Sequence, residues 1–149
     1  MLLLAGCGIP ARSAQTSPAA VITYDPARDA ARDIQTAIDE AQRTHQRILL
    51  EVGGDWCVWC HHMDRFYEAH SDLQAYRDQH FIPVKVNYSQ ENQNEAVLSH
   101  YPEIPGYPHL FVLDSDGALL RSQNTSPLES GDSYNLDAFF AFLRQWAAP

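Results

Sequence analysis

The chain has 149 residues, 45% of them hydrophobic, which is enough for one domain with a buried core. Its formal net charge is −9, with a single lysine and no cluster of basic residues, which argues against a nucleic-acid-binding surface. No apolar run in the sequence reaches the length that a helix needs to span a bilayer.

The first residues resemble the start of a bacterial lipoprotein. Leu4-Ala5-Gly6-Cys7 is similar to a lipobox, in which the signal is cut before a cysteine that then carries lipid. The apolar run before Cys7 is shorter than the ~7–15 residues of a signal peptide, so we expect a truncated signal segment with a misplaced start. The resemblance implies that Cys7 is lipidated and that the chain faces an extracytoplasmic space, the periplasm.

Residues 8–23 are rich in Ala, Ser, Thr and Pro and show neither helical nor strand periodicity. This composition is typical of a flexible tether that holds a domain clear of a membrane surface. We therefore predict two parts in the chain. Residues 1–24 form a signal-like segment and tether, and residues 25–149 form the folded domain.

The folded part is predicted to begin with a helix and a buried strand. Asp25-Pro26 indicates the helix start, with Asp as N-cap, and apolar residues recur at helical spacing up to about Thr44. Residues 48–52 then form an apolar run typical of a buried strand, interrupted by Glu51. Because a carboxyl is costly to bury in such a strand, Glu51 indicates a functional role.

Two cysteines one helical turn apart, Cys57 and Cys60, follow this strand. A helix that begins near Cys57 would place its sulfur among unpaired backbone N–H groups at the positive end of the helix dipole. Such a position favours the thiolate, which is the nucleophile in disulfide exchange. Cys60 lies on the same helix face and can close a small disulfide with Cys57, so the pair can carry two electrons without another cofactor.

The same residues allow three other interpretations. A purely structural disulfide is one, although so short a loop constrains little chain entropy. Zinc needs four ligands, and His61 and His62, although near, point in different directions on a helix; no second pair of closely spaced cysteines exists. The run from Cys57 to His61 also matches the attachment pattern of c-type haem, but a buried strand precedes it. The alternative to redox chemistry is therefore a non-enzymatic metal- or haem-binding protein that uses Cys57, Cys60 and His61.

The remaining elements complete the predicted fold. A helix continues after Cys60, Ser71 caps a further short piece, and Pro83 favours an edge position for the next strand. Strands are predicted at residues 81–88, 109–113 and 118–122, with a short helix within 92–101 and a last helix capped by Asn135. This order predicts an α/β fold with a mixed four-stranded sheet and helices on both faces.

Strand, Trp-Cys-x-x-Cys, helix and a later proline before a hairpin together resemble the thioredoxin fold over residues from about 25 to 148. The match is nearest to bacterial thioredoxin-like proteins whose site reads CxxC-His-x-Met, here Cys60-His61-His62-Met63. The resemblance implies a thiol–disulfide oxidoreductase that exchanges disulfides with proteins, most simply as a reductant. It also implies protein thiols or disulfides as substrates, an upstream electron donor or acceptor, and a monomer.

The resemblance also assigns roles to the residues around the cysteines. Cys57 resembles the exposed attacking thiol and Cys60 the buried resolving thiol. Glu51 stands six residues before Cys57, where thioredoxin has Asp and protein disulfide isomerase has Glu, and would accept and return the proton of Cys60. Lys85 corresponds to a lysine close to that buried acid, so it either pairs with Glu51 or faces outward from its strand.

The expected substrate-binding residues surround the cysteine pair. Pro108 resembles the cis-proline of the family, and the backbone of Tyr107 beside it would pair with an extended substrate chain. Trp56 and Trp59 would form an apolar rim around the sulfur, together with Val58 between the cysteines. Val58 and Trp59 offer no charge to stabilise a thiolate, so the residues leave the direction of redox flow open.

Overall fold

The computed structural model describes residues 15–149, which form helices, a main sheet and a small two-stranded sheet. The helices are α1 (Ala30–Thr44), α2 (Val58–Ala69), α3 (Ser71–His80), α4 (Glu95–Leu98) and α5 (Leu136–Trp146). The strands are β1 (Arg47–Gly53), β2 (Phe81–Asn87), β3 (His109–Leu113), β4 (Leu119–Asn124), β5 (Glu129–Ser130) and β6 (Ser133–Tyr134). None of the helices within this part of the chain is long and apolar enough to cross a membrane.

Four strands form one mixed sheet in the order β2-β1-β3-β4. β1 and β2 are parallel, as the helical crossover through α2 and α3 between them requires, and β3 runs antiparallel to both β1 and β4. β2 lies at one end of this order, which is where a strand that contains Pro83 is tolerated. The predicted mixed four-stranded sheet is confirmed.

The sheet separates two apolar cores. Since successive strand residues point to opposite faces, Ile48 and Leu50 of β1 pack with α1, whereas Leu49 packs with α2 and α5. Full burial of one such side chain contributes roughly 1.5–3 kcal/mol. Helices therefore cover both faces, as predicted, and Glu51 falls on the same face as Leu49.

Helix α1 begins four residues later than the sequence indicated. Its N-cap is Asp29, whose side chain accepts a hydrogen bond from the backbone N–H of Arg32 at 3.1 Å. Asp25 instead caps a separate turn, where its carboxylate accepts the N–H of Ala27 at 2.8 Å. An Asp-Pro pair suits either structure, so the predicted start at Asp25 was wrong.

The predicted boundary at residue 25 is also wrong for the described part of the chain. Val21 is buried and forms a parallel bridge with Val84, and its backbone bonds to β2 through Pro83 and Lys85. Tyr24 is buried as well. The domain therefore includes residues of the expected tether, while the predicted lipidation site Cys7 lies outside the described residues.

Candidate active site

Cys57 and Cys60 form a disulfide at the N-terminus of α2, with their Cα atoms 5.2 Å apart. Cys57 has extended backbone angles and serves as the N-cap, and its sulfur accepts the backbone N–H of Cys60 at 3.1 Å. This is the position that the sequence predicted for the pair, at the end of the helix where unpaired N–H groups favour negative charge.

Both cysteines are buried in this disulfide. Cys57 is 3% exposed and Cys60 is fully buried, so the expected exposed sulfur is not present in the oxidised form. The reason is the packing of Tyr24, Trp59 and Tyr107 around the pair. A substrate disulfide would therefore have to approach the Cys57 sulfur past these three side chains.

Two apolar side chains next to the disulfide are strongly exposed. Trp56 is 55% and Val58 is 65% exposed, although both are large and hydrophobic. Such side chains together form an apolar surface immediately beside a reactive group, as protein-binding sites often do. These two predicted substrate-binding residues thus flank Cys57 in the sequence and are exposed, whereas Cys57 itself is buried.

Three aromatic residues form a rim on one side of the disulfide, which we call the aromatic rim: Trp56, Tyr88 and Tyr107. The Trp56 ring meets Tyr107 edge-on at 5.5 Å, Tyr107 stacks on Tyr88 at 4.8 Å, and the Trp56 indole donates to the Tyr88 carbonyl at 2.6 Å. Burial raises the pKa of Tyr107 to about 12, so it stays neutral. Sequence reasoning missed Tyr88 because it treated this residue as the end of a strand.

A second set of contacts at the site involves Trp59 and the segment before β3. Trp59 packs edge-on against Tyr134 at 5.6 Å, and Tyr134 donates its hydroxyl to the Trp59 carbonyl at 3.2 Å. The Tyr107–Pro108 peptide bond is cis, and Thr125 donates a hydrogen bond to the Pro108 carbonyl at 3.0 Å. Trp59 is thus tied into the domain more firmly than Trp56.

Glu51 is buried and is linked to the cysteine cluster through Tyr24. The Tyr24 hydroxyl donates to its Oε1 at 2.6 Å, in a contact that spans 27 residues of sequence. Burial raises the pKa of Glu51, an effect opposed by the positive charge of Lys85 and by the Tyr24 hydrogen bond. The carboxyl can therefore take up a proton at a higher pH than an exposed glutamate does.

Lys85 does not form the ion pair with Glu51 that the sequence allowed. The two residues are register partners on the parallel strands β1 and β2, but the Lys85 ammonium pairs with Asp64 of α2 and lies 4.7 Å from the Tyr24 ring centroid. Asp64 reaches the ammonium because it lies one turn after Cys60 on the same side of α2. Lys85 acts on Glu51 through its charge.

Sequence reasoning missed Tyr24 and Asp64 for different reasons. Tyr24 fell in a segment without periodicity, so nothing local indicated that it enters the site. Asp64 carries a weak signal, since its position four residues after Cys60 puts both on one face of the predicted helix. Only the folded structure shows that Tyr24 bonds to Glu51 and that Asp64 pairs with Lys85.

The two histidines after Cys60 have other polar partners than the sulfurs. The Nε2 atom of His61 lies 2.7 Å from the Asp55 carbonyl, and the His62 ring contacts Arg65 at 3.0 Å. Within residues 15–149, no group of three His, Cys, Asp or Glu side chains is arranged to hold a metal ion. The geometry around the pair is that of a disulfide with a buried acid.

The chain is similar to known proteins. The thioredoxin-like family profile matches residues 29–115. The chain is 32% identical over 116 residues to the thiol:disulfide interchange protein DsbD of Pseudomonas sp. (strain JR1 / K1), covering 76% of this chain and 18% of that protein. It is 26% identical over 100 residues to the disulfide bond reductase DsbH of Chlamydia pneumoniae, covering 61% and 60%.

A solved structure agrees with these sequence matches. The disulphide isomerase from Xylella fastidiosa Temecula1 superimposes with a TM-score of 0.67 at 25% identity, covering 82% of this chain and 94% of that one. The chain spans only 18% of the length of the Pseudomonas DsbD. The profile match, which covers more than half of the residues, and the shared fold lead to one conclusion: the chain belongs to the thioredoxin-like family.

Proposed function

We propose that this chain is a thiol–disulfide oxidoreductase that reduces protein disulfides through Cys57 and Cys60. The observation that carries the proposal is the disulfide at the N-terminus of α2, linked through Tyr24 to the buried carboxyl of Glu51. The names of the relatives, a disulfide interchange protein and a disulfide bond reductase, support it. Reduction is favoured because DsbH is named a reductase.

The reaction would proceed in two exchanges. The Cys57 thiolate attacks one sulfur of the substrate disulfide, whose S–S bond breaks, and the released substrate sulfur takes up a proton. Cys60 then loses its proton to Glu51 and attacks the Cys57 sulfur, which releases the second substrate thiol. The substrate gains two electrons and two protons, and the chain is left with the Cys57–Cys60 disulfide for a donor protein to reduce.

Substrate binding would use the surface beside Cys57. Trp56 and Val58 provide exposed apolar area, and the backbone of Tyr107 next to Pro108 would pair with an extended segment of the substrate. Trp59 would support the rim from inside. Lys85 would assist by its charge, which stabilises ionised Glu51 between proton transfers.

The setting of the protein is part of the proposal. We place the domain in the periplasm as a monomer, attached to the membrane only by a lipid on Cys7 and using no cofactor besides its disulfide. The lipobox-like residues 4–7 support the anchor. Labelling of expressing cells with a fatty-acid analogue should mark the wild-type chain and not a Cys7→Ser variant.

Insulin reduction in the presence of a thiol donor tests the function. Wild type should be active, Cys57→Ser inactive, and Cys60→Ser should accumulate a mixed disulfide with the substrate, because its attacking thiol lacks a resolving partner. Cys7→Ser is the matched control and should keep full activity. An active Cys57→Ser variant would contradict the proposal.

The reduction potential tests the direction of electron flow. Equilibration with glutathione or dithiothreitol should give a value near the ~ −270 mV of thioredoxin, as a reductant requires. A value near ~ −120 mV would identify an oxidant instead. Metal and haem content measured on the same sample tests the non-enzymatic alternative, since a bound cofactor on Cys57 and Cys60 would block equilibration.

A further inference from the structure

Two reactive groups meet at Gly53, the last residue of β1. A side chain at this position would place its Cβ closer than 3.0 Å to both the Cys60 sulfur and the Tyr24 hydroxyl oxygen. The two atoms therefore border one small space that exists because residue 53 is glycine. Tyr24 belongs to the same buried cluster as both cysteines.

The Tyr24 hydroxyl is already engaged with the acid of the proposed mechanism. It donates to Glu51 Oε1 at 2.6 Å, and a phenolic oxygen that donates its hydrogen can still accept another. The hydroxyl is thus placed to accept from the Cys60 thiol while it donates to Glu51. Burial and the nearby Glu51 charge raise the pKa of Tyr24 well above its usual value, so the hydroxyl remains protonated between turnovers.

Glu51 has a route for the proton on its other side. It lines a cavity of about 220 Å³ whose walls also include Asp64, Arg77 and Lys85. These charged side chains, from α2, α3 and β2, face Glu51 together with Tyr67 of α2. A proton on Glu51 can therefore exchange with the polar side of the domain, away from the apolar surface around Cys57.

We propose that Tyr24 relays the proton between the Cys60 thiol and the Glu51 carboxylate during the resolving step. This inference rests on the proposed function and assigns it one further residue. The Cys60 proton moves to the Tyr24 oxygen as the Tyr24 proton moves to Glu51. The Cys60 thiolate then attacks the Cys57 sulfur, the mixed disulfide breaks, and its electron pair leaves on the substrate sulfur.

A two-phase reaction with Ellman's reagent isolates this step. In a Cys7→Ser background, reduced protein releases one nitrothiobenzoate when Cys57 attacks and a second when Cys60 resolves the mixed disulfide, and stopped-flow absorbance follows both. Tyr24→Phe keeps the buried ring and removes only the hydroxyl. We expect the second phase to be about tenfold slower at neutral pH and the first to change less than about twofold.

The pH profile separates a relay from a structural effect. The slow second phase should recover above about pH 9, where solvent base deprotonates thiols directly. Tyr101→Phe, which removes the hydroxyl of a half-buried tyrosine packed on Phe111, is the matched control and should change neither phase. A Tyr24→Phe profile identical to wild type, or a slowing that persists at high pH, would overturn the proposal.

A double variant tests whether Tyr24 and Glu51 act in series. Tyr24→Phe combined with Glu51→Gln should resolve no more slowly than the slower single variant, whereas multiplied effects would overturn the relay. Insulin reduction by the wild type is measured in parallel. Its absence would refute the proposed function, while the Ellman phases would still report on Tyr24, so the two failures are distinguishable.

Discussion

Glu51 links the stability of the fold to pH. Burial raises its pKa, so the folded state binds this proton more tightly than the unfolded state does. The stabilisation from the bound proton is complete below the ordinary pKa of a glutamate and is lost as the pH rises through the raised pKa of the folded state. At higher pH the folded protein must keep an ionised carboxylate in a buried position.

Replacing Glu51 by Gln should therefore remove this dependence. We expect the free energy of unfolding of Glu51→Gln, relative to wild type, to increase as the pH rises through the raised pKa. Urea unfolding of the oxidised proteins at a series of pH values measures the difference. Glu95→Gln, at an exposed position, is the control and should show no such increase. A difference that does not vary with pH would contradict the assignment of the burial effect to Glu51.

Residue 53 must be glycine because neighbouring side chains leave no room for a Cβ atom. In Gly53→Ala the new Cβ would collide with the Cys60 sulfur and the Tyr24 hydroxyl, and overpacking of this kind typically costs about 1–3 kcal/mol. Gly106→Ala adds the same methyl group where nothing lies within 4 Å, so its stability should stay near that of wild type. Thermal unfolding measures the stability of the two variants. Equal stability would show that the Cys60 and Tyr24 side chains can move to make room for the added methyl group.

At the scale of elements, two aspartates near the start of α1 contribute differently to the stability of the helix. Asp29 caps the helix, whereas Asp25 caps only the turn before it. Asp29→Ala should lower the free energy of unfolding by about 1 kcal/mol, and Asp25→Ala by clearly less, because it leaves the helix cap intact. Denaturant unfolding resolves this difference. The reverse order would mean that the helix begins at Asp25 in solution.

The elements that the sequence predicted well are those with a strong local signal. The apolar runs in residues 48–52 and 109–113, and the cysteine pair at a helix start, are readable within a few residues. Predictions failed where the deciding contact is distant. Lys85 pairs with Asp64 because α2 packs on the sheet, and no local pattern distinguishes that partner from Glu51.

Short pieces of structure were missed for a related reason. β5 and β6 have two residues each, too few for any periodicity, and are held by pairing with each other next to α2. Val21 contributes a single bridge to β2. Such short strands and bridges form because the folded domain places hydrogen-bond partners beside their backbones. Their own sequences therefore need no strong strand propensity.

At the scale of the whole molecule, the segment before α1 closes both the sheet and the site. Val21 extends the sheet beyond β2, and Tyr24 fills the space between Glu51 and the cysteines. A chain shortened to begin at Asp25 should be less stable by at least about 2 kcal/mol, because it loses two buried side chains. A chain that begins at Ser17 is the control and should retain most of the stability of the full chain. Equal unfolding free energies would contradict a role for this segment.

The single lysine of the chain has a practical consequence. Lys85 lies within β2, its side chain is only 10% exposed, and its backbone is paired with Val21. A lysine-specific protease can cut the chain only there, and it must first draw several residues of the strand into its own cleft. Cleavage will therefore occur only in molecules whose sheet has opened at this edge, at a rate set by how often it opens. The rate of cleavage at this one peptide bond, followed on a gel without any label, therefore reports how often the sheet opens locally at β2.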